Sequence, residues 1–254
     1  MWNTAKHKIQ FISLIEGFPE ELYPQPARSE IPQWFKDMPM LTEGMKKYDR
    51  GGTVRRCPSF IEWLGQGYIV KMWADVVLKN SEDFWEWRTP DQQFRWDKHP
   101  ADQFQDHLPH DRVNVVYKCA SPFKVVTPKG WSCYEFPLLF DFNPDWQVMA
   151  GINNSDTFHE WNSTIMLFGD KDEIFIPRGT PISQIIPFKR GKLKSINKFI
   201  HDIDRKTKEG MQRSEYSGRS LFTGSYFESA TRSSIGKHTG FDNPTKYTYK
   251  KKGK

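Results

Sequence analysis

Hydrophobic and polar residues alternate along most of the middle of the chain, which is the pattern of β-strands with one buried face. In the longest run every second residue from 68 to 78 is apolar: Tyr68, Val70, Met72, Ala74, Val76 and Leu78. Shorter runs predict strands at 84–88, 94–96, 113–119, 123–127, 131–136, 146–152, 163–168 and 173–176. Because turn residues separate several runs and strands do not alternate with helices, the sequence predicts a mainly β fold, an antiparallel β-sandwich or jelly-roll-like (cupin-like) domain.

Two helices are predicted beside the strands. A short N-terminal helix covers residues 57–64, with Pro58 near its start and Gly65 and Gly67 after its end, the usual asymmetry of these residues around a helix. The second is a C-terminal amphipathic helix of about four turns, because apolar residues recur there at helical spacing: Leu193, Ile196, Phe199, Ile200 and Ile203.

Composition divides the chain into three segments. Residues 1–50 carry five prolines between positions 19 and 39, which exclude a long helix and predict an arm that packs on the core. Residues 51–190 hold the predicted strands and form the β-sandwich core. Residues 191–254 combine the basic helix with a flexible tail.

The net charge of +6 is unevenly distributed along the chain. Residues 189–254 contain 17 lysines and arginines against 6 acidic residues, whereas residues 1–188 contain 20 against 25. A basic tail is attracted to phosphate or another acidic surface, and a tail that only solubilises the protein is the alternative. The predicted partners are nucleic acid or an acidic protein surface, contacted by Lys192, Lys194, Lys198, Arg205, Lys206, Lys250, Lys251 and Lys252.

Membrane insertion and disulfide bonding are not expected. No run approaches the roughly 18 apolar residues that span a bilayer, and the N-terminus lacks the order of a signal peptide, so a soluble, cytoplasmic protein is predicted. The three cysteines, Cys57, Cys119 and Cys133, are too widely spaced for a disulfide framework or a paired zinc site and are interpreted as reduced packing residues.

A metal site is the sharpest catalytic hypothesis, since jelly-roll domains can hold a metal on imidazoles and carboxylates that face the interior. The candidate ligands are His107, His110 and His159, with iron, zinc or manganese as the ion. The chain has no His-x-His or His-x-Asp pair, and ordinary surface or hydrogen-bonded histidines are the alternative. No cofactor is therefore predicted outside the metal-dependent alternative, and whether the chain is an enzyme stays open.

Residues 174–188 form two apolar strands around a turn, Arg178-Gly179-Thr180-Pro181, with Gln184 interrupting the second strand. Locally this segment resembles the Gly-x-x-Ile-x-Gln strand of dUTPase-like β-barrels and equally the Pro-x-Gly-x-Pro turns of cupin-type jelly rolls. The other dUTPase motifs are absent, so this resemblance implies no dUTPase activity.

Longer motifs occur in order along the chain: Ile31-Pro32-x-Trp34-Phe35, Thr53-Val54-x-Arg56-Cys57-Pro58-Ser59-Phe60, Gly67-Tyr68-Ile69-Val70-Lys71, Thr127-Pro128-Lys129-Gly130-Trp131-Ser132-Cys133 and Arg178-Gly179-Thr180-Pro181-Ile182-Ser183-Gln184. Together they resemble an uncharacterised family, a domain of unknown function found in large tailed phages of marine bacteria, with distant bacterial relatives. The resemblance spans roughly residues 30–190. It implies a phage-encoded protein with a β-rich fold and carries no catalytic residues.

Members of that family often have a Gly-x-x-x-Thr-Asp segment where this chain has an Asn-rich turn at residues 151–156. The pocket predicted around this turn consists of Asn153, Asp156, Trp161, Arg178 and Gln184. Buried hydrogen-bonding structure is the alternative interpretation of the same residues.

Two function classes remain. The first is a phage-encoded, non-catalytic protein of binding, assembly or host interaction, located in the cytoplasm of the infected bacterial host or on the virion. The second is a cupin-like metal-dependent enzyme of the oxygenase type, acting on a small molecule or a protein side chain. The first is favoured because the ligand spacing required by the second is missing, whereas the charge asymmetry is directly countable.

Overall fold

The computed structural model describes residues 8–44, 53–80, 87–88, 96–99, 104, 113, 115–139, 141 and 143–218. The chain forms two units, one from residues 3–30 and 67–191 and the other from residues 31–66 and 192–254. These boundaries differ from the predicted one at residues 50 and 51. The strands at residues 10–13 and 25–26 are hydrogen-bonded into the sheets of the first unit, and the three-segment division of the chain stays a prediction.

The first unit is built from short antiparallel strands. Within the described residues they are β1 (Gln10–Ser13), β2 (Gln25–Pro26), β3 (Tyr68–Lys71), β4 (Val76–Lys79), β5 (Trp87–Arg88), β6 (Trp96–Lys98), β7 (Val115–Val126), β8 (Trp131–Pro137), β9 (Trp146–Val148), β10 (Gly151–Asn153), β11 (Glu160–Leu167), β12 (Glu173–Ile176) and β13 (Pro181–Lys189). The predicted mainly β, antiparallel sandwich is confirmed. Its jelly-roll and cupin-like subdivision stays a prediction.

These strands form three sheets. The first has the order β1-β7-β11-β9, with β6 also paired to β7, and is called sheet A. The second has the order β10-β8-β13-β3-β2 and is called sheet B, and β12-β4-β5 make a third, smaller sheet. Side chains from all three sheets contribute to one hydrophobic core, in which Tyr117, Phe123 and Ile165 are fully buried. Burial of each such side chain contributes about 1.5–3 kcal/mol of transfer free energy.

The predicted strand at residues 68–78 is two strands in different sheets, so that prediction is wrong. β3 ends at Lys71 and β4 begins at Val76, and between them the backbone N–H of Met72 donates to the Thr180 carbonyl oxygen at 2.8 Å. The alternation continues through the break because Met72 and Val76 are both fully buried, even though they belong to different segments. An apolar pattern therefore does not mark the point where a strand changes sheet.

The predicted strands 113–119 and 123–127 are instead one long strand, β7. Pro122 lies inside this strand, although proline has no N–H to donate to a sheet. The pairing of β7 with β11 is irregular at this point, since the register changes between Glu160 and Asn162. A bulge leaves one residue unpaired, so the missing N–H of proline breaks no regular hydrogen bond there. Bulges are accordingly a usual position for proline inside a strand.

The second unit contains the helices α1 (Gln33–Asp37), α2 (Pro58–Leu64) and α3 (Arg205–Gly218). The predicted helix at 57–64 is confirmed as α2, which has Pro58 in its first turn and Gly65 as its C-cap. Phe35 of α1 is fully buried and stacks on Phe60 of α2, with ring centroids 5.5 Å apart and an interplanar angle of 15°. None of the described helices is long and apolar enough to cross a membrane.

The predicted C-terminal amphipathic helix is wrong in position. Residues 191–199 have no regular secondary structure, a single 3-10 turn follows at Ile200–Asp202, and α3 begins only at Arg205. Three apolar side chains of the predicted stripe are solvated, with exposures of 99% for Leu193, 69% for Ile196 and 65% for Phe199. Nucleation of a short helix is unfavourable, and packing of its apolar face on other structure normally offsets this free-energy cost. The exposed stripe at residues 193–199 has no such packing.

Candidate functional site

A carboxyl group lies inside the core of the first unit. Glu135 of β8, only 6% exposed, accepts hydrogen bonds on Oε1 from three side chains. The Ser163 Oγ donates at 2.6 Å, the Ser183 Oγ at 2.7 Å and the Trp161 Nε1 at 3.4 Å. In the part of the chain that the structure describes, Glu135 Oε2 accepts no hydrogen bond. One oxygen of the carboxyl is therefore saturated and the other remains available.

The sheet register explains why these groups meet. Glu135 lies in sheet B, opposite Gly151 of β10 and Ile185 of β13. Trp161 and Ser163 are two residues apart on β11 of sheet A, so both side chains point to the same face of that strand. Their bonds to Glu135 thus connect the two larger sheets of the sandwich.

Burial is the largest influence on the pKa of the Glu135 carboxyl. It raises the pKa of Glu135 to about 7, although the hydrogen bonds from Ser163, Ser183 and Trp161 each favour the ionised form and lower the pKa. Burial also raises the pKa of the nearby Cys119 thiol, and the charge of Glu135 raises it further. Glu135 consequently changes charge near neutral pH, where an ordinary glutamate is fully ionised.

A cavity of about 260 Å³ opens beside Glu135. Its walls combine aromatic and aliphatic side chains with polar groups in similar proportion, and the lining residues are His99, Phe104, Glu135, Met149, Ala150, Gly151, Ile152, Asn153, Phe158, Trp161, Asn162 and Thr164. No lysine or arginine is among these described lining residues. Glu135 is the one acidic residue among these described lining residues.

Two polar atoms of the lining residues are buried with no hydrogen-bond partner among the residues that the structure describes: the Oδ1 of Asn153 and the Nδ1 of His99. The Nδ2 of Asn153 is used, because it donates to the Glu160 carbonyl oxygen at 2.7 Å. Buried polar atoms without a hydrogen bond are uncommon in folded proteins, and each one requires an explanation. A ligand in the cavity is one such explanation.

The predicted pocket is only partly assembled. Asn153 and Trp161 line the cavity together, whereas Asp156, Arg178 and Gln184 do not. Asp156 accepts a hydrogen bond from the Gly130 N–H at 2.7 Å and pairs with Arg190, whose Nη1 lies 2.8 Å from Asp156 Oδ1. This arrangement corresponds to the alternative interpretation, hydrogen-bonding structure.

The other two predicted pocket residues have different surroundings. The Arg178 backbone N–H donates to Asp75 Oδ1 at 2.8 Å, and its half-exposed side chain lies 3.8 Å from Glu21. Gln184 is buried within β13, opposite Phe136 of β8 and Ile69 of β3. Neither residue is among those that line the cavity.

The predicted metal ligands are only partly described. His107 and His110 lie outside the described residues. The Nδ1 of His159 donates to the Ser155 carbonyl oxygen at 3.0 Å, which gives this ring an ordinary structural partner. Across the described ranges, no three His, Cys, Asp or Glu side chains come together as metal ligands. The iron, zinc or manganese site stays a prediction.

The predicted contact residues at 192–206 belong to the second unit. Lys192, Lys194 and Lys198 are exposed on an extended stretch and make no ion pair with any described residue. Arg205 in contrast pairs with Glu209 one turn along α3, at 2.8 Å. Lys206 is exposed in the first turn of the same helix, and Lys250, Lys251 and Lys252 lie outside the described residues.

Glu135 was missed by the sequence analysis, although the sequence contains a signal for it. In the strand 131–136 the buried Cys133 and Glu135 are two residues apart, so a charged residue occupies a core position of the alternation. A buried acid of this kind is rare unless it has partners. The partners themselves, Ser163 and Ser183, could not be inferred because they come from distant strands.

Comparisons with known proteins give no family assignment. No family model matches the sequence, and no curated protein matches it. Among solved structures, a mutant dUTPase of phage 80alpha is similar at 12% identity and a TM-score of 0.31, covering 64% of this chain and 96% of that one. A second mutant of the Staphylococcus bacteriophage 80alpha dUTPase has 9% identity and a TM-score of 0.33, covering 77% and 99%. A mutant dUTPase from phage phi11 of S. aureus has 10% identity and a TM-score of 0.30, covering 64% and 96%. Scores at this level support no inference about function.

Proposed function

We propose that the chain is a phage-encoded, non-catalytic binding protein whose exposed basic segment, residues 192–206, contacts single-stranded nucleic acid. The phage origin rests on the family resemblance of residues 30–190. A protein with this role acts in the cytoplasm of the infected host or on the virion. The cupin-like metal-dependent alternative is not favoured by any contact of the described histidine His159, which is used in a structural hydrogen bond.

The supporting observation is the unpaired cationic stretch at residues 192–201. It contains three lysines and no acidic residue. In an extended chain Lys192 and Lys194 are separated by about 6–7 Å and project to the same side. Because the three lysines are exposed and make no ion pair with a described residue, their ammonium groups can neutralise phosphates and release counterions.

An aromatic residue accompanies these lysines. Phe199 is 65% exposed, and its ring lies near that of His201, with centroids 5.1 Å apart. Proteins that bind single-stranded nucleic acid combine a cationic track with aromatic rings on which bases stack. This combination favours a single strand over an acidic protein surface, for which an exposed phenylalanine has no specific use.

The test is a charge-reversal triple variant of the full chain, Lys192→Glu, Lys194→Glu and Lys198→Glu. Binding of a fluorescein-labelled 20-nucleotide dT strand is measured by anisotropy at several salt concentrations. Each phosphate contact contributes about 0.7 to the slope of log K against log salt, so loss of three contacts reduces the slope by about 2. The control reverses three exposed lysines elsewhere, Lys8, Lys36 and Lys118, with the same change in net charge.

We expect the control variant to keep the wild-type slope of log K against log salt. The slope of the triple variant should be smaller by about 2. Equal slopes in the two variants would contradict the assignment to this segment and leave only a general effect of net charge. Absence of binding by the wild-type protein at low salt would contradict the nucleic-acid function itself and turn the search to acidic protein partners.

A further inference from the structure

We propose that the cavity beside Glu135 binds a small, planar organic cation with several N–H donors, of the amidinium or guanidinium type. This site is separate from the basic segment, and nothing in the proposed nucleic-acid function requires it. The cavity lies entirely within the first unit, whereas residues 192–206 belong to the second. Either proposal can therefore fail without the other.

Hydrogen bonding sets the first requirement on the ligand. Two acceptors of the lining residues receive no hydrogen bond from a described residue: the buried Oδ1 of Asn153, and Oε2 of Glu135, whose described donors all bond Oε1. Two donors beside these acceptors are already used, since Trp161 Nε1 bonds Oε1 of Glu135 and Asn153 Nδ2 bonds the Glu160 carbonyl oxygen. The Nδ1 of His99 has no partner among the described residues. A ligand that supplies more than one N–H would satisfy both acceptors, which a single hydroxyl or ether oxygen would not.

Charge sets the second requirement. The ionised Glu135 receives only neutral donors, and the described lining residues supply no lysine or arginine. A buried carboxylate without a counterion is costly, and an opposite charge inside the cavity removes that cost. A planar cation can also present two parallel N–H groups to a carboxylate.

Shape sets the third requirement. The cavity of about 260 Å³ is bordered by the flat side chains of Phe104, Phe158 and Trp161 and by Met149. The Phe158 side chain is 54% exposed. Aromatic rings attract cations that lie over their faces, and the attraction is stronger where the cation is desolvated. The ligand is therefore expected to carry its charge on or beside an apolar, flat body.

Binding of a cation is linked to protonation. Burial raises the pKa of Glu135 to about 7, so the group is about half protonated at neutral pH, and a bound cation stabilises the ionised form and expels the proton. Affinity should rise with pH between about 6 and 8. The other titratable groups facing this region are His99 in the cavity lining, Cys119 of β7 and Cys133 of β8, and no lysine or arginine lines the described cavity.

The probe pair is benzamidine, a planar cation, and benzamide, its neutral analogue of nearly the same shape. Both are titrated into the full-length, isotope-labelled protein, and the indole N–H resonance of Trp161, assigned with Trp161→Phe, is followed by NMR. We expect benzamidine to bind at least ten times more tightly than benzamide. Glu135→Gln should abolish the preference, and the matched variant Glu16→Gln, which removes an exposed carboxylate outside the cavity, should retain it.

A second measurement on the wild-type protein covers the case in which Glu135→Gln does not fold. Calorimetric titration with benzamidine at pH 7 in phosphate and in Tris reports the protons released on binding. We expect about half a proton per ligand, because half of the carboxyls carry one before binding. Equal binding of the two probes, no binding of either, a preference that survives Glu135→Gln, or binding without proton release would overturn the proposal.

Discussion

Ser163 Oγ of β11 donates a 2.6 Å hydrogen bond to Glu135 Oε1 of β8, so a hydroxyl of sheet A holds a carboxyl of sheet B inside the core. Ser183 and Trp161 complete the set of donors to the same oxygen. A polar group in the centre of a sandwich lowers stability unless its hydrogen bonds are satisfied. Three donors satisfy Oε1 of Glu135, whereas Oε2 receives no hydrogen bond from a described residue.

Replacement of Ser163 by alanine should destabilise the protein by about 1–3 kcal/mol at pH 8, because a buried carboxylate loses a short hydrogen bond. The loss should be smaller at pH 5, where Glu135 is protonated and bonds to it are weaker. Urea unfolding at the two pH values measures both free energies. Ser29→Ala is the control, since its hydroxyl bonds the Pro26 carbonyl oxygen at 2.7 Å on the surface and should give no pH-dependent difference.

The stability of the protein should fall as pH rises from about 4.5 to about 7. The pKa of Glu135 is about 7 in the folded protein and near its ordinary value of 4.5 when unfolded, so the folded state binds more protons across this window. The stabilising contribution is complete below the unfolded pKa and is lost as pH rises through the folded pKa. Complete loss amounts to about 3 kcal/mol, from 1.36 kcal/mol per pKa unit.

Glu135→Gln provides the comparison for this pH dependence. Glutamine is nearly the same shape and cannot ionise, so denaturation of the variant should show no such decline between pH 5 and pH 8. If the decline persists in the variant, another group is responsible. His159→Gln would then test whether His159 is that group.

Most of the strands could be predicted because alternation is a local property of the sequence. Val115–Val126 and Glu160–Leu167 both show it, and both are found as strands. The division of residues 68–78 between two sheets could not be predicted, because Val70 and Val76 are buried alike and local alternation does not identify the partner strand. Pairing is a long-range property that depends on which strands meet in space.

The candidate site was less predictable than the fold for the same reason. Asn153 and Trp161 were identified, whereas Glu135, the group that gives the cavity its charge, was not. Its donors at positions 163 and 183 lie 28 and 48 residues away in the chain. The helix predicted from Leu193, Ile196 and Phe199 is absent for a related reason. Helical periodicity is a local pattern, and without a surface on which the apolar face packs it does not form a helix.

Gly67→Ala should destabilise the first unit by several kcal/mol, which is the range of severe backbone and packing conflicts. Gly67 has φ of +64°, and a Cβ at this position would lie 1.9 Å from the Ile185 carbonyl oxygen, at the start of the β3–β13 pairing. Gly17→Ala is the matched control, because its φ of +69° is similar and no atom lies within 4 Å of the added Cβ.

The control should cost only the strain of a left-handed backbone, about 1–2 kcal/mol. Thermal or urea unfolding of the two variants separates this strain from the steric conflict at Ile185. Similar losses in both variants would show that the backbone at Gly67 moves away from β13 and that the close approach is not required by the fold.

Asp156→Ala should loosen the end of β13 while leaving the rest of the sandwich intact. Asp156 accepts from the Gly130 N–H at 2.7 Å and pairs with Arg190, and the Arg190 N–H in turn donates to the Gly130 carbonyl oxygen at 2.8 Å. Hydrogen exchange should accelerate at the amides of Gly130 and Arg190, with the β4–β12 amides as the internal control.

Because its hydrogen bonds to Arg190 and Gly130 lower the pKa of Asp156, the wild-type protection should persist at neutral pH and weaken only as pH falls below the usual range of an aspartate. Protection at Gly130 that is unchanged in Asp156→Ala would mean that the turn at residues 127–130 is held by its backbone bonds alone.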